Sequence, residues 1–171
     1  MSGPFTYSVN QDGSATISNL VGVVSRGIVS GDGAIISMVD TDLSDDDEIS
    51  MVILIRTEVG LSNATINGDY VGVSFGYSFG QGIIKETTVT SISADGNGTM
   101  VFEILSNSSG NVGTSNASYA VDTTNGRISI DLPSGETLEG VIKADGEIFN
   151  FVNTSLNDSF IEIGVAIRKT Q

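Results

Sequence analysis

Apolar and polar residues alternate with a two-residue period along much of this chain. The clearest case is YVGVSFGYSFGQG at 70–82, where Val71, Val73, Phe75, Tyr77 and Phe79 are interleaved with Gly72, Ser74, Gly76, Ser78 and Gly80. Side chains project to opposite faces of a strand in turn, so this period predicts a β-strand with one apolar face and one glycine-serine face. ATIS, AIISMV, TVTSIS, MVFEIL, RISIDL and EIFNFV are shorter β-branched runs of the same kind. Between them stand Asp-Gly at 12–13, 32–33, 95–96 and 145–146, and Asn-Gly at 67–68, 97–98 and 125–126. Such pairs accept positive φ at both central turn positions, as two-residue type I′ hairpins require. Pro4 and Pro133 sit at element edges, and no segment sustains a 3.6-residue period. The predicted fold class is all-β and antiparallel.

The pattern also repeats. Tyr7, Val9, Gly13 and Ile17 match Tyr119, Val121, Gly126 and Ile130 after one inserted residue. Gly27, Asp32, Gly33 and Ile35 match Gly140, Asp145, Gly146 and Ile148, and the closing runs ISMVILIR and IEIGVAIR end at Arg56 and Arg168. Residues 5–57 therefore mirror 117–169, while 58–116 has no second copy. This predicts about 13 strands in one and a half repeats: 1–57 holds a partial repeat of five strands, and 58–171 a complete one of about eight. Eight strands joined by short turns read as an up-and-down meander that closes into a barrel, with a sandwich as the alternative.

The surplus strands expose sheet edges, which are templates for pairing. They predict a homo-oligomer or polymer formed by strand pairing, with 58–116 able to close on either copy of the repeat. Membership of a longer tandem array accounts for them equally. A start at Met1 in mid-repeat reads as an engineered or processed boundary.

Composition narrows the chemistry. The chain has 171 residues with no Cys, His or Trp. That removes thiolate zinc ligands, thiol nucleophiles, a Ser-His-Asp site and the commonest general base. Asp and Glu number 21 against 7 Lys and Arg, for a net charge of −14. Such a surface repels nucleic-acid phosphate and anionic membranes. No apolar run approaches the roughly 20 residues of a membrane helix, and no signal peptide follows Met1. The Gly, Ser, Thr and Asn style suits an extracellular or cell-surface protein, and six sequons begin at Asn63, Asn97, Asn107, Asn116, Asn153 and Asn157.

The complete unit opens with Gly68 and Tyr70 in NGDY and ends on a strand carrying Arg168. This resembles the calycin pattern of lipocalins and their relatives, in which Gly-x-Trp opens the first strand and a late Arg packs over it; Tyr stands here in place of Trp. The resemblance implies an eight-stranded barrel, a small apolar ligand inside it, and structural roles for Tyr70 and Arg168. The residues themselves leave three readings of the glycine-serine face. A phosphate cradle needs a strand-to-helix glycine motif, which is missing. A cavity would use the absent side chains as space for a ligand. The favoured reading is structural: a bent strand, or neighbouring aromatics lying on bare backbone.

The densest charge is DTDLSDDDE, with Asp40, Asp42, Asp45, Asp46, Asp47 and Glu48. These oxygens could ligate calcium, the one cofactor left open, although the equivalent NTSLNDSF at 153–160 loses most of the acids. A solvated hairpin tip is the alternative. Most other acids (Asp12, Asp32, Asp95, Asp145) fall in turns, and Glu103 and Glu147 have no evident partner, so no catalytic pair is expected. The leading expectation is a non-catalytic exported module that self-assembles or serves as a repeat of a larger structural or adhesive surface protein. The alternative is a calycin-like carrier of a small apolar ligand.

Overall fold

The computed structural model describes residues 6–18, 24–40, 51–78, 84–153 and 160–170. They form 13 strands and one short 3-10 helix, divided between two units, Met1–Arg56 and Thr57–Gln171. All strand pairing is antiparallel. The fold is thus all-β, in one and a half related units.

The first unit is a five-stranded sheet in chain order: β1 (Thr6–Val9), β2 (Ser14–Ser18), β3 (Val24–Val29), β4 (Ile35–Asp40) and β5 (Met51–Ile55). The second unit begins with the 3-10 helix Asn63–Thr65. It continues through β6 (Asn67–Ser78), β7 (Ile84–Asp95), β8 (Thr99–Asn107), β9 (Gly113–Val121), β10 (Arg127–Asp131), β11 (Thr137–Val141), β12 (Ile148–Asn153) and β13 (Phe160–Arg168). These eight strands close into a barrel, not a sandwich. The seam runs from Phe160 opposite Ser78 to Arg168 opposite Tyr70, with nine residue pairs. Closure gives every backbone ladder a neighbour and removes the sheet edges.

The barrel interior holds Tyr70, Ile92, Met100, Ile128, Ile130, Ile142 and Phe149, each fully buried. The Phe149 ring meets Tyr70 edge-on at 5.3 Å. In β6 the faces are the reverse of a simple apolar-in strand. Gly72 and Ser74 point into the barrel, while Val71, Val73 and Phe75 stand on its outside, Phe75 with 46 % exposure. Their neighbours across the seam, Ile167, Val165 and Ile163, extend the row.

Hydrogen bonds reproduce the repeat. Gly13 N–H donates to Asn10 O at 3.0 Å and Gly126 N–H to Asp122 O at 2.9 Å. Val29 to Gly13 recurs as Ile142 to Gly126, Ser30 to Ile35 as Lys143 to Ile148, and Arg56 to Ala34 as Arg168 to Glu147. A Cβ added at Gly27 would collide with the Ser37 carbonyl, and one at Gly140 with the Asn150 carbonyl. Equivalent glycines therefore permit equivalent strand contacts.

The turns depart from the type I′ expectation. Four residues separate β1 from β2, and the carbonyl of Asn10 accepts from Gly13. Such loops need positive φ at the glycine, as at Gly13 with φ 82°. Asn67-Gly68 is no turn at all: it opens β6.

The units differ in burial. Among the described residues of the first, only Ala15, Ala34 and Met38 are buried hydrophobics. Tyr7 is 80 % exposed, Ile28 67 % and Leu54 46 %. A sheet must cover at least one apolar face to be stable, and this one leaves much of its apolar surface open.

Candidate functional site: the two ends of the barrel

One end of the barrel is closed by a latch. The Tyr70 hydroxyl donates to Gly146 O at 2.9 Å and accepts from Arg168 Nη2 at 2.9 Å. Arg168 Nη2 also donates to Thr65 O at 3.0 Å, and its guanidinium lies 5.4 Å from the Tyr70 ring centroid. Gly146 has φ 69°, and a Cβ there would strike the Thr65 carbonyl, so glycine lets the two turns touch. Burial pushes the Tyr70 hydroxyl pKa up, against the pull of Arg168, so the phenol stays protonated as a donor.

Tyr119 adds a second tie. Its hydroxyl lies 2.8 Å from Ile66 O and 3.0 Å from Asn63 O, while Asn63 Oδ1 accepts from Val121 N–H at 2.9 Å. These contacts fix the 3-10 helix across the barrel end. They also give the sequon residue Asn63 a structural role. Tyr70 and Arg168, singled out in the sequence, are brought together; Tyr119 and residues 63–66 were not linked to them there.

The opposite end is hollow. A cavity of about 400 Å³ lies among the far ends of the strands. Its walls include Phe102, Ile104, Leu132, Leu138 and Phe151, and its collar includes Ser74, Glu86, Glu136 and Glu162. The glycine-serine face of β6 thus serves two purposes. Gly72 leaves room for the Ile92 side chain, 3.1 Å from where a Cβ would stand, and Ser74 lines the cavity.

Register assembles the collar. Glu162 faces Gly76 across the seam, and Gly76 faces Glu86 on its other side, so two glutamates flank one glycine in a single row. Glu136 joins from the connection between β10 and β11. Burial pushes the Glu162 carboxyl up; a hydrogen bond from Ser74 opposes the shift, and the charges of Glu136 and Glu86 add to it. The Asn107 amide donates to Glu86 and the Ser134 hydroxyl to Glu136 at 2.8 Å.

Other acids have structural work. Asp95 Oδ1 accepts from Asn97 N–H at 2.7 Å and Thr99 N–H at 2.9 Å, bonds that hold its carboxyl below the ordinary range. Glu147 lies 3.5 Å from Lys143, and Glu103 is exposed on β8. Of the predicted calcium ligands, Asp40 ends β4; Asp42, Asp45, Asp46, Asp47 and Glu48 lie outside the described residues. Among the described residues, no group of three or more His, Cys, Asp or Glu is placed to hold a metal ion.

The closed barrel is compatible with a calycin-like barrel. Comparison with known proteins gives no match, either to a family model or to a curated sequence.

Two outcomes follow. Tyr70→Phe removes a donor from the Gly146 carbonyl and an acceptor from Arg168, and should lower stability by about 1–3 kcal/mol in chemical denaturation. Tyr7→Phe, at an exposed hydroxyl whose repeat counterpart is Tyr119, should be neutral. Glu162, with its folded pKa raised, binds its proton more tightly in the folded state. Its penalty is full above that value and absent below the unfolded value of about 4.3. Glu162→Gln should therefore raise the melting temperature at neutral pH and leave it unchanged below about pH 4.

Proposed function

We propose that this chain is a non-catalytic, exported module of the cell surface or extracellular space that acts by completing open sheets with strands from neighbouring copies. One observation carries this reading. Tyr119 and Arg168 are held by partners drawn from residues 63–70. Their repeat counterparts, Tyr7 and Arg56, are exposed. In the barrel, β9 and β13 pair with β8 and β6. Their counterparts β1 and β5 have one neighbour each among the described residues. Among the described residues, no segment of the 58–116 type pairs with the five-stranded sheet.

A second copy carries such a segment. If 58–116 of one chain completes the sheet of another, its own strands β9–β13 are left open in turn. Exchange of this kind propagates head to tail and yields polymers or rings. The outward row of Val71, Val73 and Phe75 offers an additional apolar face for packing between modules. The acidic surface argues against nucleic acid and anionic membranes as partners. Service as one repeat of a larger structural or adhesive protein would use the same edges.

The cavity favours a second reading, in which residues 57–171 form a calycin-like carrier of a small apolar ligand. A pocket of this size, apolar within and polar at its rim, is typical of ligand sites in barrel mouths.

Light scattering across a concentration series separates the two. Assembly predicts particles that grow with concentration. The Arg56 N–H donates to Ala34 O, just before β4, so the alternation of a strand turns the Ile53 N–H to the open edge. Ile53→Pro should therefore abolish growth while leaving the β4–β5 ladder intact. Monomers at every concentration would refute assembly. Loss of the particles on calcium chelation would assign the 40–48 acids to calcium.

A further inference from the structure

We propose that the barrel mouth binds a small apolar molecule bearing a positive charge, such as an alkyl amine, with its body among Phe102, Ile104, Leu138 and Phe151 and its cation at Glu86, Glu136 and Glu162. The proposal rests on the carrier reading of residues 57–171 and adds the ligand's chemistry to it. Every lining residue belongs to the second unit, and the cavity is a property of its closed barrel, since Glu86, Phe102 and Ile104 lie in the 58–116 segment and Leu138, Phe151 and Glu162 outside it.

The cavity is the primary observation. It occupies about 400 Å³ at the end of the barrel away from the latch, where the interior could instead have been filled by side chains. Its walls set Phe102, Ile104, Leu138 and Phe151 among the small hydroxyl side chains of Ser74, Thr90 and Ser115, and the apolar groups among them accommodate a hydrocarbon body. Its rim is anionic: three carboxylates lie there, and its described lining contains no lysine or arginine. An anionic ligand such as a fatty acid would meet like charge at close range. A neutral one would leave the mutual repulsion of the carboxylates in place.

A cation changes the balance at the rim. Glu162 and Glu86 flank Gly76 in one row, and Glu162 also feels the charge of Glu136. Like charges this close disfavour one another's ionised forms, and partial burial adds a desolvation cost. An ammonium seated among them offsets both effects while its N–H groups donate to the carboxylate oxygens. A bare metal ion fits less well, since no three acids among the described residues converge on one point. An organic cation can span carboxylates set further apart, because several N–H donors or a diffuse charge reach them separately. Selectivity would come from the rim and most of the affinity from the apolar wall.

The test is calorimetric titration of the full chain at neutral pH with three ligands of one chain length: octylamine, octanol and octanoate. Octylamine should bind about tenfold or more tighter than octanol, with octanoate weakest. The double variant Glu136→Gln, Glu162→Gln should bring octylamine down to the level of octanol and leave octanol unchanged. Glu58→Gln with Glu103→Gln removes equal charge from exposed positions outside the cavity and should change neither. Equal binding of octylamine and octanol, or equal loss in both double variants, would overturn cation recognition while leaving an apolar carrier standing. Absence of binding by all three would overturn the carrier reading as well.

Discussion

The closed end of the barrel depends on one hydroxyl. Tyr70 lies near the start of β6, Arg168 at the end of β13, and Gly146 in the turn before β12; the Tyr70 oxygen bonds to both of the others. Arg168 then reaches the Thr65 carbonyl and so ties in the 3-10 helix. These contacts sit at one end of the β6–β13 seam, the pairing that turns eight strands into a cylinder. Buried polar groups stabilise a fold only when their hydrogen bonds are made, and here the tyrosine and arginine satisfy each other and two backbone carbonyls together.

The latch also explains why the barrel is asymmetric. Tyr70, Tyr119 and Phe149 gather at the end the 3-10 helix covers, whereas Phe102 and Phe151 line the hollow end. Towards the other end β6 contributes Ser74 and Gly76, and space remains. The hollow end tolerates partly buried carboxylates that a packed core would exclude. The same strand thus packs the core through one half of its inward face and borders the cavity through the other.

Much of this was legible in the residues. Alternation and turn signals predicted an antiparallel all-β chain, and spacing alone revealed that 5–57 mirrors 117–169. The Gly68, Tyr70 and Arg168 resemblance identified two latch residues because they mark the two ends of the complete unit. The glycine-serine face was harder. Period two says that a strand has two faces, but which one points inward depends on closure, and closure joins residues about 90 apart in the chain. The acidic collar left no local signal: Glu86 and Glu162 meet only through register at Gly76, and Glu136 joins them from the β10–β11 connection. The turns were misjudged because Asp-Gly serves four-residue loops as well as two-residue ones.

The five-stranded sheet matches the barrel's back portion, and among the described residues no counterpart of the latch segment pairs with it. Its Arg56 keeps the backbone bond to Ala34 that Arg168 makes to Glu147, yet its side chain is exposed. Hydrogen exchange at two equivalent amides tests strand completion most directly. Val165, paired with Val73 in the barrel seam, should exchange slowly at every protein concentration if its barrel stays closed. In a chain that lends 58–116 to a neighbour, a newly arrived strand must take the place of Val73. Ile53 should exchange rapidly in dilute protein and become protected as concentration rises. Rapid exchange at Ile53 at all concentrations would contradict strand completion between copies, and protection independent of concentration would place the completing strand within a single chain.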